Sequence, residues 1–152
     1  MKISSQEKKS SKSRQVHPTT TIRQSRYIGV SPADLYDAYL DDKTHSRFTG
    51  ARATCERYVG GKFTAWNGYI SGKNVKLENG RRIIQEWMTT EWPAGYGPSL
   101  LEFTFHAKGS GTEVRIKQSN VPAVQAKYYQ KGWDEFYWRP MKNFFKKNRS
   151  PH

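Results

Sequence analysis

Residues 60–92 read GGKFTAWNGYISGKNVKLENGRRIIQEWMTTEW. Apolar and polar side chains alternate in three short segments, 62–66, 69–77 and 82–90, and each break between them carries Asn-Gly: Asn67-Gly68 and Asn79-Gly80. An Asn-Gly pair is a strong hairpin signal, because a two-residue turn that matches strand twist needs positive φ at both positions. The stretch therefore predicts three antiparallel strands. Further candidate strands flank it, 52–58 upstream and 100–107 and 112–120 downstream, set off by Gly60-Gly61, by the loop from Pro93 to Pro98 and by Gly109-Ser110-Gly111. Successive short hairpins make an antiparallel meander.

Alternation assigns the faces. Leu101, Phe103 and Phe105 oppose Glu102, Thr104 and His106, while Val114 and Ile116 oppose Glu113, Arg115 and Lys117; Ile83, Gln85 and Trp87 share a side. A sheet with one apolar face needs a cover. The C-terminal segment supplies it, because Tyr129, Trp133, Phe136, Tyr137, Pro140, Met141 and Phe144 recur three or four apart, as on one side of a helix. Pro140 should kink that helix, and Gly132 should delay its proper start to about Gln130. Upstream, 22–30 predicts a first strand. Ser31-Pro32-Ala33-Asp34 then opens a helix with Ser31 as cap and Leu35, Tyr36, Tyr39 and Leu40 as its buried stripe. A second short helix is expected over 43–48, capped by Asp42 or Thr44, ahead of Gly50. The class is α+β: a curved antiparallel sheet around a long C-terminal helix, with two short helices after strand 1.

The chain has 152 residues and a formal net charge of +13, enough for one domain with one core. Seven Lys/Arg against Glu7 lie in residues 1–26 and four more, with no acid, in 142–152; of the 26 basic and 13 acidic residues, 15 and 12 remain between. The excess charge therefore sits in the tails. We expect 1–19, rich in Ser and Lys, to be a disordered basic tail, 20–147 to be the domain and 148–152 to be a C-terminal tail. No stretch has the apolar core of a secretory signal or the length of a membrane span, and Cys55 is the one cysteine. These features predict a cytoplasmic protein without membrane insertion or intrachain disulfide.

The order SPADLYDAYLDD (31–42), His45, FTGA (48–51), GGKF (60–63), Gly72, Ile83, Trp87, Trp92, Val121-Pro122 and Gly132-Trp133 resembles the family of activator of heat-shock protein 90 ATPase homologues, in its C-terminal-domain type. The resemblance runs from about Thr20 to Lys147. It implies the SRPBCC superfamily and its helix-grip fold, shared with START and birch-pollen-allergen-like domains, in which the sheet grips the C-terminal helix, often around an apolar cavity. It also implies heat-shock protein 90 as a partner. In the eukaryotic co-chaperone an N-terminal domain makes much of that contact, and nothing before Thr20 resembles it.

One fold hosts many activities, so function has to be read from residues. Five Trp, nine Tyr and seven Phe suit a concave apolar pocket for a small hydrophobic ligand. Candidate lining residues are Trp66, Trp87, Phe103, Phe105, Trp133, Tyr137 and Met141, with Gln85 and Gln118 as hydrogen-bonding groups on the same faces. The competing reading is that these aromatics only pack the core. Arg81, Arg82, Arg115 and Lys117 suit either an acidic protein partner or plain solvation. The basic tails would hold nucleic acid or anionic lipid only loosely, and no specific nucleic-acid partner is expected. For catalysis, His45, His106, Glu86, Glu91 and Asp134 are the acid–base candidates, and they form no nucleophile–base–orienter set. Cys55 has no evident base, and no metal-ligand spacing occurs. A non-enzymatic module without cofactor or metal is expected.

Overall fold

In a computed structural model of the chain, residues 17–148 are described. Of the tails expected at 1–19 and 148–152, residues 1–16 and 149–152 lie outside them, and Thr19 belongs to the first strand. Seven strands form one antiparallel sheet: β1 (Thr19–Ile28), β2 (Thr54–Cys55), β3 (Lys62–Ala65), β4 (Ile70–Glu78), β5 (Arg82–Thr89), β6 (Ser99–Lys108) and β7 (Gly111–Pro122). Their order across the sheet is β1-β7-β6-β5-β4-β3-β2. β2 to β7 form the expected meander, and β1 joins the far edge of β7.

The strand expected at 52–58 shrinks to the two residues of β2. Beyond Cys55 the backbone turns away from the ladder, and the buried Asn74 side chain donates to the carbonyls of Glu56, at 2.9 Å, and Tyr58, at 3.2 Å. Glu56 N still reaches the Lys62 carbonyl at 2.9 Å, and the side-chain amide takes up the two carbonyls that follow. The two Asn-Gly turns also differ. Trp66, Asn67 and Gly68 all have positive φ (52°, 58° and 89°), whereas in the loop after Glu78 Gly80 is left-handed (φ 72°) and Asn79 is not. Three residues separate β4 from β5, and a connection of that length needs only one left-handed residue.

The inner face carries Ile83, Trp87, Leu101, Phe103, Phe105, Val114 and Ile116, all buried. Helix α1 (Pro32–Leu40) begins as expected, with Ser31 Oγ accepting from Asp34 N at 3.2 Å, and buries Leu35, Tyr36, Tyr39 and Leu40. Helix α2 (Asp42–Thr49) is capped by Asp41 rather than by Asp42 or Thr44. Only a residue with extended backbone can fold its side chain onto the first turn, and Asp41 (φ −88°, ψ 123°) accepts from Thr44 N at 2.9 Å and Thr44 Oγ1 at 2.8 Å. Those bonds hold its carboxyl below the usual range. Asp42 is used otherwise: its Oδ1 accepts from Cys55 N at 2.7 Å and ties α2 to the sheet edge.

The C-terminal helical run lies across the inner face. A single 3-10 turn (Ala123–Gln125) leads into α3 (Ala126–Trp133), a π-helical turn (Asp134–Trp138) and α4 (Arg139–Lys147). The helix therefore starts at Ala126, not near Gln130; tertiary packing of Tyr129 and Trp133 outweighs the weak propensity of Gly132. Pro140 does not break it. In a regular α-helix its ring would strike the carbonyl four residues back, but the preceding turn is widened, with Arg139 N bonding to Asp134 O. The wider turn inserts an extra residue and rotates the faces. Trp133, Tyr137, Trp138 and Met141 are buried in consequence, whereas Phe136, expected on the inner stripe, is 43% exposed. Trp138, absent from that stripe, is 0% exposed, and its Nε1 donates to Gln24 Oε1 at 2.7 Å.

Candidate functional site

Where α3 meets the β3–β4 turn and β5, the helix does not seat fully on the sheet. Gly132 offers no side chain there, and the left-handed turn at Trp66 to Gly68 raises Trp66 and Tyr69 at the sheet's margin. Between them lies a half-open pocket of about 230 Å³, bordered by Trp66, Tyr69, Ile70, Trp87, Tyr128, Tyr129, Gly132, Trp133, Phe136 and Tyr137. Its aromatic rings brace one another. Trp87 stacks on Trp133 (centroids 6.0 Å, 30°), Tyr129 meets Trp87 edge-on at 5.5 Å, Trp133 lies 5.0 Å from Tyr137, and Phe136 meets Trp66 edge-on at 5.2 Å.

Of the residues singled out from sequence, Trp66, Trp87, Trp133 and Tyr137 border this pocket. Phe103, Phe105, Met141, Gln85 and Gln118 are buried elsewhere in the core. Phe103 packs edge-on against Trp133 at 5.8 Å, and Phe105 meets Tyr36 at 5.8 Å. Both glutamines bond within the protein. Gln118 Oε1 accepts from Trp133 Nε1 at 2.9 Å while its amide donates to Ser99 Oγ at 3.1 Å. Gln85 accepts from the Tyr39 hydroxyl at 2.8 Å and donates to Asn74 Oδ1 at 2.9 Å. Gln118 thus orients a pocket wall. Sequence reasoning missed Tyr69, Ile70, Tyr128, Tyr129, Gly132 and Phe136 as lining residues. The signal was present in the helix: 128, 132 and 136 form one four-residue row and 129, 133 and 137 its neighbour, and two adjacent rows make one face.

The hydroxyls around the pocket are also engaged. Tyr129 donates to Gln125 Oε1 at 3.0 Å and so accepts from Thr89 Oγ1 at 2.7 Å; Gln125 in turn donates to the Glu91 carbonyl at 2.7 Å. Tyr69 donates to Glu91 Oε1 at 2.5 Å. Burial and that carboxylate raise the Tyr69 phenol well above its usual range.

His45 is buried behind Tyr137. Its Nδ1 lies 2.9 Å from the Tyr39 carbonyl and must carry the proton, so Nε2 accepts from the Tyr137 hydroxyl at 2.8 Å. Burial pushes the imidazole down to about 4 from its ordinary 6.5, against the opposing pull of the Tyr39 carbonyl and Asp42. The unfolded chain therefore takes up a proton at a pH where the native protein does not. This contribution to stability is full above pH 6.5, falls as the pH is lowered, and levels off below about 4. About 3 kcal/mol should be lost across that window. Urea unfolding of wild type and His45→Gln at several pH values checks this, and parallel curves between pH 6.5 and 4 would rule it out.

The other acid–base candidates stand apart. His106 is exposed; Glu86 lies on the outer sheet face; Asp134 pairs with Arg139 at 2.9 Å. On the outer face Arg82 bridges Glu78 and Glu102, at 3.3 and 3.1 Å, and Arg115 bonds Glu113 at 3.2 Å. Among the described residues no group of three His, Cys, Asp or Glu is placed to hold a metal ion, and no helix is long and apolar enough to cross a membrane.

An antiparallel sheet closed around a C-terminal helix, with an aromatic pocket where the two diverge, defines a helix-grip domain of the START-like class. The chain belongs to the family described as Activator of Hsp90 ATPase homolog 1-like protein, whose model matches residues 29–146. It is 30% identical over 128 residues to the Homo sapiens Activator of 90 kDa heat shock protein ATPase homolog 1, covering 84% of this chain and 38% of that protein. The Dictyostelium discoideum homologue is 33% identical over 118 residues, covering 76% and 30%. The chain thus spans roughly a third of the length of these curated relatives. An HSP90 activator from Plasmodium falciparum has the same fold, with a TM-score of 0.74 at 23% identity and 84% and 96% of the two chains covered.

Proposed function

We propose that residues 20–147 form a non-catalytic, cytoplasmic binding module that takes a small hydrophobic molecule into the pocket between α3, the β3–β4 turn and β5. The observation that carries this reading is Gly132. It sits inside a helix, where glycine costs about 1 kcal/mol relative to alanine, yet a Cβ there would meet its nearest neighbour, Phe136 Cδ2, at an ordinary 3.6 Å. Packing does not demand the glycine, and what its bare backbone provides is room in the pocket. At about 230 Å³ the space falls below the roughly 300–1,000 Å³ of drug-sized sites. One- or two-ring molecules suit it better than sterols.

Gly132→Ala should stabilise the protein by about 0.5–1 kcal/mol while weakening occupancy, and Gly132→Leu should block the pocket in a folded protein. Native mass spectrometry, and NMR shifts of the Trp87 and Trp133 indoles with one- and two-ring aromatics, measure occupancy. No retained ligand and no shifts in wild type would sink the proposal.

A second reading, a co-chaperone-like partner of heat-shock protein 90, is supported by the family and by the names of its relatives. Its test is the ATPase rate of that chaperone from the same organism with and without the chain. An unchanged rate and no binding remove it.

A further inference from the structure

The outer face of the sheet carries a charge arrangement that the aromatic pocket does not explain. Along β1 the buried Ile22 faces inward and Arg23 and Ser25 are exposed on the other side; along β7 the buried Ile116 lies between the exposed Arg115 and Lys117. Arg23 pairs in register with Lys117, and Ser25 with Arg115. Directly opposed residues lie about 5 Å apart at Cβ, and residues two apart along one strand about 7 Å. Three cations and one hydroxyl therefore mark the corners of a small rectangle. It floors an open groove of about 450 Å³, bordered on the β6 side by Thr104 and Glu102.

Like charges directly opposed across two strands destabilise a sheet. The neighbouring charges on this face are already matched: Arg82 holds Glu102 from the β5 side at 3.1 Å, and Arg115 holds Glu113 at 3.2 Å. Arg23 and Lys117 are not. Neither makes an ion pair or a side-chain hydrogen bond with any described residue, and the Ser25 and Thr104 hydroxyls are equally uncommitted. We infer that the rectangle binds the dianionic phosphoryl group of a phosphate monoester. Arg23 and Lys117 supply the two unmatched charges, while Arg115 and the two hydroxyls supply further donors. A guanidinium fork engages two phosphate oxygens at once, and a tetrahedral group can reach several corners together. A phosphodiester carries one charge and would neutralise only half of the opposed pair.

The site lies on the opposite face of the sheet from the aromatic pocket, so its test is independent of the ligand-pocket reading. NMR titration of the ¹⁵N-labelled full chain at low salt compares methyl phosphate, dimethyl phosphate and a short phosphoserine peptide at about pH 7.5, above the second phosphate pKa of about 6. We expect methyl phosphate to shift the backbone amides of Arg23, Ser25, Arg115 and Lys117 and to bind about tenfold more tightly than dimethyl phosphate. Arg23→Gln and Lys117→Gln should each weaken methyl phosphate by about fivefold or more, since each removes a charge-assisted donor. Both side chains are exposed, so the variants should fold, and their thermal midpoints check that. Arg81→Gln, at an exposed arginine outside the rectangle, should leave the affinity unchanged. A peptide that binds more tightly than methyl phosphate identifies a phosphorylated protein segment as the source; equal or weaker binding identifies a free phosphate ester. Equal affinity for the two methyl phosphates, an affinity unchanged in both variants, or shifts centred on other basic groups such as Lys142 and Lys146 overturns the inference.

Discussion

Trp133→Ala is expected to destabilise the protein by about 4–6 kcal/mol, a large share of the roughly 5–15 kcal/mol by which a domain of this size is stable. Trp133 joins the helix to the sheet: it stacks on Trp87 at 6.0 Å and Trp138 at 5.7 Å and meets Phe103 edge-on at 5.8 Å. Truncation leaves a two-ring cavity that these neighbours fill only in part. It also strips Gln118 Oε1 of the indole donor at 2.9 Å in a buried site, adding the cost of an unmet acceptor. Trp133→Phe separates the two effects, because it keeps a ring and removes the N–H; its expected cost is about 1–3 kcal/mol. Guanidinium unfolding of both variants measures this. A Trp133→Ala midpoint close to wild type would mean that the C-terminal helix is held by other contacts.

Gly72→Ala is expected to cost at least about 3 kcal/mol, at the upper end of what single substitutions do. A Cβ on Gly72 would lie 1.7 Å from the Glu86 carbonyl oxygen and 2.9 Å from Phe63 Cε1. The first obstacle is backbone and cannot rotate away. Gly72 pairs with Phe63 on one side and Trp87 on the other, so the added methyl must push β4 from β5 beside the pocket wall. The same exchange at Gly132 is expected to stabilise. Opposite signs from one chemical change test whether the two glycines serve different ends, close strand approach and pocket space. A thermal shift of the same direction in both variants would contradict that assignment.

Much of the fold was legible in the sequence because strand and helix periods differ. The alternation of Ile83, Gln85 and Trp87, and of Leu101, Phe103 and Phe105, located β5 and β6 and their inner faces. Ser31 and Asp34 marked the start of α1. The misreadings came where two residues could do the same local job, as with Asp41 and Asp42 at the α2 cap, or where a side chain from a distant strand took up backbone carbonyls, as Asn74 does after β2. The candidate site was half legible. Trp66, Trp87, Trp133 and Tyr137 were recognisable as large aromatics on converging elements, but Gly132 gives no hydrophobic signal, and Phe136 read as core.

By itself the sequence determined the strand and helix order, the apolar face and the family, because side-chain periodicity and turn chemistry are local properties recorded residue by residue. The tertiary structure decided which aromatics pack and which leave space. The π turn before Pro140 adds one residue to the helix, turning Trp138 inward and Phe136 outward. The long-range bonds of Gln85 and Gln118 spend their polarity inside the core. What remains unmet, the indole N–H groups of Trp66 and Trp87, can be found only by subtraction once every other partner is in place, because hydrogen-bond satisfaction belongs to the assembled core and not to any one segment.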